Sequence, residues 1–216
     1  MNGKIVIEPG FRVDIGRDEV YCRAKRCSFE RPVFLIMNKP KGVITTKDDS
    51  FGRKTVFDIL PRLPQRLYHV GRLDRESSGL LLLTNDGEVA YRLTHPKHEV
   101  DRVYQIVIKG KLTPEEKKRL EKGIFFENKR SSPCKVEELK VSVRQSMVRM
   151  TLHEGRKRQI RQMFAIVGHP VLRLERTGFG TLTLKNLKPG EFRFLTAGEI
   201  KALRAALGIR EARHAA

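Results

Sequence analysis

Cysteine is scarce. Cys22, Cys27 and Cys134 are odd in number and form no CxxC pair, which excludes a disulfide framework. Six histidines are scattered along the chain without metal-ligand spacing, so no zinc site is expected and the thiols read as reduced. No apolar run approaches the ~20 residues that cross a bilayer. The opening MNGKIVIEPG has no basic-then-apolar signal pattern, so the protein is expected in the cytoplasm, away from membranes. Acids are few: 25 Asp and Glu face 44 Lys and Arg, for a formal net charge of +19. Solubility needs only about 2 to 8 charges on a small domain. The excess points to a polyanion, with nucleic acid ahead of an anionic membrane surface and solubility alone as the plain alternative.

What is present can fold. Hydrophobic residues make up 39% of 216, enough for one good-sized domain or one with a small appendage. Residues 1–28 read as short strands around turns: KIVIEPG ends in a Pro-Gly turn, and DEVYCRAK follows as a second extended stretch. A domain boundary is placed near Ser28 to Pro32. PVFLIMNKPKG reads as a buried strand broken at Lys39-Pro40. FGRKTVFDILP has Val56, Ile59 and Leu60 at helical spacing, and RLYHV is a short strand. LLLLT lacks alternation and so predicts a strand buried on both faces. NDGEVAYRLTH predicts a helix capped by Asn85, with Glu88 three residues on. RVYQIVIKG alternates as a strand, and TPEEKKRLEKG carries full helix start and stop signals. Residues 135–155 give two more extended stretches, and RKRQIRQMFAIVG a helix ending at Gly168. A strand over HPVLRLERTGFGTLTL and a capped helix over TAGEIKALRAALG complete the chain. The class expected is α+β around a mostly antiparallel sheet.

Three stretches could carry chemistry. In GRLDRESSGLLLLTNDG, Asp74 lies between Arg72 and Arg75, just before the buried leucines. A loop braced by core strands can hold a carboxylate firmly while leaving it open to a ligand. An Asp there can equally cap a turn or pair with a surface arginine. In HEGRKRQIRQMF, Arg158 and Arg161 are neighbours on a helical wheel, and Arg161 could reach inward to keep a carboxylate ionised. The same basic run could instead be a solvated face or a phosphate-binding helix start. Tyr104 shares a strand face with Ile106 and Ile108, either as core or as a platform for a flat base.

Together, GRLDRESSGLLLLTNDGEVAYRLTHP, VDRVYQIVIKGKL and HEGRKRQIRQMFAIVGHPVLRLERTGFGTLTLKNLKPGEFRFLT closely resemble the ribosomal pseudouridine synthases. The family is the one typified by ribosomal small subunit pseudouridine synthase A and the related large-subunit enzymes. The resemblance runs from about Pro32 to the end, and GRLD followed by SxGLLLLTNDG is highly specific. It divides the chain into residues 31–216, the catalytic domain, and residues 1–30. NGKIVIEPGFRVDIGRDEVY in the latter is similar to the second half of a small alpha-L RNA-binding domain. The two helices that precede that half in the family are not in this sequence.

The resemblance implies a pseudouridine synthase fold, with a mixed, mostly antiparallel central sheet flanked by helices. It implies an enzyme that isomerises a uridine of ribosomal RNA, with the large subunit favoured, as a monomer without cofactor or metal. Asp74 matches the nucleophilic aspartate, which attacks either the ribose or the uracil ring. Arg161 matches the active-site basic residue that stands against it. Tyr104 matches the aromatic that stacks on the flipped base and helps a later proton step. Arg72 matches an arginine that enters the RNA where the uridine has left. Leu172 or Leu174 is expected to wall the base pocket. Lys39, Lys41, Lys47, Arg53 and Lys54, with Arg156, Lys157 and Arg158, are expected to contact phosphates. A non-catalytic RNA-binding or ribosome-assembly protein of the same fold is the alternative, and the intact Asp74, Tyr104 and Arg161 argue against it. A carboxylate-dependent nucleoside hydrolase would want a second acid beside Asp74.

Overall fold

The computed structural model describes residues 1–14, 17–27 and 30–209. Near the start, β1 (Tyr21–Cys22) and β2 (Lys25–Arg26) make a minimal antiparallel hairpin. Residues 4–8, expected as a strand, do not form one. Ile5 and Ile7 are almost wholly exposed, so that stretch has no buried face to stabilise pairing. Of the expected domain boundary, Ser28 lies outside the described residues.

The remaining chain supplies β3 (Phe34–Lys39), β4 (Tyr68–Val70), β5 (Ser78–Thr84), α1 (Gly87–Thr94), β6 (Arg102–Lys109) and α2 (Pro114–Glu121). It continues through β7 (Phe125–Phe126), β8 (Lys129–Arg130), β9 (Lys135–Lys140), β10 (Gln145–Leu152) and α3 (Gln159–Ile166). It ends with β11 (Val171–Phe179), β12 (Leu182–Thr183), β13 (Phe192–Phe194) and α4 (Ala197–Ala206). Nine strands form one mixed sheet in the order β13-β3-β5-β11-β6-β10-β9, with β4 beside β5 and β12 beside β11. The β5–β11 pair is parallel and the others are antiparallel, as the α+β reading expected.

The four leucines of β5 are each 0% exposed. Leu80 and Leu82 pack with Val89 and Leu93 of α1 and Leu203 of α4, while Leu81 and Leu83 pack on the other face with Val43, Val56 and Leu67. Burying each contributes about 1.5–3 kcal/mol, so this strand anchors whatever loop precedes it. At its start β5 runs parallel to β11 for only two residues, Ser78 and Gly79, before β4 takes over that edge. Gly79 makes the approach possible. Its φ is +110°, and a Cβ there would stand 2.3 Å from the carbonyl oxygen and 2.5 Å from the nitrogen of Arg176.

Three local expectations are corrected. The stretch around Val56 forms a single 3-10 turn, Phe57–Ile59, in place of a longer helix. The Val56 N–H is drawn to the Ile44 carbonyl, and the Asp58 carboxylate accepts from the Thr55 N–H. The cap of α1 is Asp86, which accepts from the Val89 N–H at 3.0 Å. Asn85 is occupied instead with the chain before β3, accepting from Val33 N–H and donating to the Arg31 carbonyl. Finally, α3 starts at Gln159 and leaves Arg156 and Lys157 in a loop, because Arg158 adopts the left-handed region at φ 50°.

Candidate active site

The loop between β4 and β5 is clamped from below. The Thr45 hydroxyl donates to the Leu73 carbonyl at 3.0 Å and accepts from the Leu73 N–H at 3.3 Å. Gly42 N–H donates to the Arg75 carbonyl, and Ser77 N–H closes a turn on the Asp74 carbonyl at 3.0 Å. These bonds fix the backbone on both sides of Asp74. Its side chain is half-buried and makes no hydrogen bond or ion pair among the described residues. A carboxylate held by its backbone and left free at its oxygens is available to a ligand, and turn-capping through its side chain does not occur.

Asp74 lines a cleft of about 400 Å³, within the usual size of a small-ligand site. Tyr104 of β6 and Leu174 of β11 form its apolar wall, and Tyr104 is 8% exposed. Arg72, Lys157 and Arg158 are exposed around it, so cations surround the mouth. The cleft therefore joins one free carboxylate, one aromatic ring and a basic rim, which suits a flat, neutral group on a polyanionic strand.

Other expected site residues are placed differently. Leu172 is 52% exposed and does not line the cleft, because the β11–β6 register slips between Val171 and Arg173 and takes Leu172 out of the alternation that buries Leu174 and Arg176. Lys39 cannot serve as a phosphate contact. It is 0% exposed, and its ammonium donates to the carbonyls of Val43 at 2.6 Å and Pro40 at 2.9 Å. Burial pushes it down to about 8, against the pull of Asp74 and Glu76. Lys41 is exposed and paired with Glu76 at 3.1 Å, and that neighbour holds the Glu76 carboxyl below its usual range. Arg53 is paired with Asp49. Arg156 lines the cleft but is engaged, with its guanidinium 3.8 Å from the Phe126 ring centre and donating to the Phe126 and Lys129 carbonyls.

Arg161 is near Asp74 without touching it. Its guanidinium donates to the carbonyls of Glu76 at 3.0 Å and Val171 at 3.3 Å, tying α3 to the Asp74 loop and to β11. Burial, and then Arg158, push Arg161 below its ordinary value, while Asp74 and Glu76 pull it back. So it acts on Asp74 through the field and through the loop backbone. Its Nε is buried without a partner.

Sequence reasoning missed three charged lining residues: Arg102, Arg176 and Glu154. Alternation held the signal for the arginines, since Arg102 is two before Tyr104 and Arg176 two after Leu174. Glu154 is a second acid in the cleft, and it accepts from Ser132 N–H and Gln159 Nε2, bracing the start of α3. Among the described residues, no three His, Cys, Asp or Glu side chains converge as metal ligands, and no helix is long and apolar enough to cross a membrane.

Comparisons with known proteins agree with this geometry. The family described as RNA pseudouridylate synthase matches residues 33–166. The chain is 43% identical to the ribosomal large subunit pseudouridine synthase B of Bacillus subtilis, over 95% of this chain and 84% of that protein. It is 35% identical to an uncharacterized RNA pseudouridine synthase of Aquifex aeolicus, over 97% of this chain and 85% of that one. A crystal structure of a pseudouridylate synthase superposes with a TM-score of 0.73 at 31% identity, covering 94% of this chain and 86% of the other.

Proposed function

Because the chain belongs to the RNA pseudouridylate synthase family, a family of RNA isomerases, we infer that it converts a uridine of ribosomal RNA to pseudouridine, with Asp74 as nucleophile. The observation that carries this reading is the free Asp74 carboxylate facing Tyr104 in one cleft. The large ribosomal subunit is the favoured substrate, supported by the 43% identity to an enzyme named for it.

The reaction conserves every atom. The C1′–N1 bond breaks, the uracil turns, and C5 bonds to C1′ while losing its proton and N1 gains one. Nucleophilic attack by Asp74, at the ribose or at the uracil ring, divides this into two easier steps. The uridine must leave the RNA stack to reach the cleft, at a cost of a few kcal/mol. Arg72, exposed at the mouth, fills the vacated place, where its planar charged group can stack and hydrogen-bond. Tyr104 stacks on the uracil and helps the later proton step, and Leu174 walls the pocket. Arg161 holds the Asp74 loop through the Glu76 carbonyl and places its positive charge near the carboxylate. Lys157 and Arg158, free at the rim, take phosphates. The chain acts as a monomer in the cytoplasm, without cofactor or metal.

Pseudouridine mapping of ribosomal RNA from cells lacking the gene tests this reading. One large-subunit position should revert to uridine. An unchanged map of both subunits would overturn it.

A further inference from the structure

One buried cation in the cleft has no part in that mechanism. Arg176 stands on β11 directly across from Tyr104 on β6 and from Gly79 on β5. It is 2% exposed, and no acid pairs with it among the described residues. Of its five N–H donors, only Nε–H is matched, to the Leu80 carbonyl at 2.8 Å, and Nη2 is buried without a partner. A buried charge lacking a counter-charge is unfavourable. Such a group is retained where a ligand completes it.

The fold holds this guanidinium in place. The β11–β6 register slips between Arg176 and Gly178, so Phe179 comes opposite Arg102. Both arginines lie on the Phe179 ring, Arg176 at 4.9 Å and Arg102 at 5.3 Å from its centre. They differ in what they have left to give. Each terminal nitrogen of Arg102 already donates to a carbonyl, that of His153 or Leu93, whereas neither terminal nitrogen of Arg176 does. Phosphates are met at the mouth, by the exposed Arg72, Lys157 and Arg158. The buried level of Tyr104 and Leu174, where Arg176 stands, faces the base.

Resting on the reading of this cleft as a uridine site, we propose that Arg176 is a further catalytic residue, donating a hydrogen bond to a uracil carbonyl oxygen and stabilising the negative charge that builds on the ring. The charge lands there on either route. Heterolysis of C1′–N1 leaves the bonding pair on N1, spread on to O2 and O4. Addition of the Asp74 carboxylate to C6 moves the C5–C6 pair on to C5 and O4. In both, the guanidinium donates without losing a proton. The charge is discharged when C5 bonds to C1′, the Asp74–C1′ or Asp74–C6 bond breaks with its electron pair returning to the carboxylate, the C5 proton leaves and N1 is protonated. A fixed donor aimed at developing charge in a dry site is the usual means of lowering such a barrier.

The test is single-turnover pseudouridine formation on an unmodified large-subunit rRNA transcript, with RNA affinity measured across salt concentrations. Arg176→Gln should slow turnover by about 10²–10³-fold. Its affinity and salt slope should stay as in wild type. Arg176→Lys, which keeps the buried cation but loses the planar fork, should fall between. Added guanidinium should restore part of the rate to Arg176→Ala. If Arg176→Gln fails to fold, the Lys variant and the guanidinium rescue decide the matter. Full turnover in the Lys and Gln variants, or a salt slope shallower by ~0.7 with unchanged turnover at saturating RNA, would overturn the proposal. An inactive wild-type protein would overturn the underlying reading as well. An active wild type with unimpaired Arg176 variants overturns this inference alone.

Discussion

Replacing Gly79 with alanine tests how the site is built. The residue is the second of β5 and lies against β11, with φ at +110°. Holding an L-residue there costs about 1–3 kcal/mol. The new methyl would meet the Arg176 backbone at 2.3 and 2.5 Å, and backbone cannot rotate away as a side chain can. Overpacking of that kind costs a further 1–3 kcal/mol or so. The sum is about 2–6 kcal/mol, and a chain of this size loses roughly 2–4 °C of melting temperature per kcal/mol. Melting followed by circular dichroism should therefore drop by roughly 4–24 °C. Turnover should fall further than stability explains, since Arg176 must shift with β11. Gly87→Ala is the control: that glycine opens α1 with nothing within 4 Å of a new Cβ, and alanine there should be neutral or up to ~1 kcal/mol stabilising. A Gly79→Ala protein melting within about 2 °C of wild type would refute the close β5–β11 approach on which the site's geometry rests.

Two further outcomes follow from the clamps beneath Asp74. Lys39 holds a folded-state pKa of about 8 against an ordinary 10.5, so between those values the unfolded chain keeps a proton that the folded chain has lost. Stability then rises with pH across that window, by up to ~3 kcal/mol, and is lost again as pH falls toward 8. Urea unfolding at pH 7.5 and 10.5 should show this rise in wild type and a flatter profile in Lys39→Met; parallel profiles would contradict the burial of a charged lysine. Thr45→Val removes both bonds to Leu73 at nearly constant volume. It should lower stability by about 1–3 kcal/mol and reduce kcat while leaving KM nearly unchanged, because it loosens the Asp74 loop and touches no RNA. A rise in KM alone would point to a direct substrate contact instead.

Much of this architecture is legible in the sequence because it rests on local pattern. The unbroken leucines of β5, the alternation of β6 and the capped starts of α2 and α4 each specify their element within ten residues or so. The errors fall where a distant partner decides. Asn85 could have capped α1, but the chain before β3 captures its side chain, and Asp86 caps instead. Lys39 is the local exception: it sits in a basic stretch and is drawn inside by two carbonyls of its own turn. Arg161 follows the motif, yet its donors go to carbonyls of Glu76 and Val171, which only the folded chain brings near it. Arg176 was hidden for another reason. Alternation puts it on the face of Leu174, but its neighbour across the sheet is Tyr104, 72 residues earlier, and pairing register cannot be read from either strand alone.

The central claim is that the Asp74 carboxylate attacks the uridine. It is tested most directly by Asp74→Asn, which keeps the shape of the side chain and removes its nucleophilic charge. Pseudouridine formation on the unmodified large-subunit transcript should disappear, while RNA affinity and melting temperature stay close to wild type. Pseudouridine formed by the Asp74→Asn protein at an undiminished rate would contradict the account.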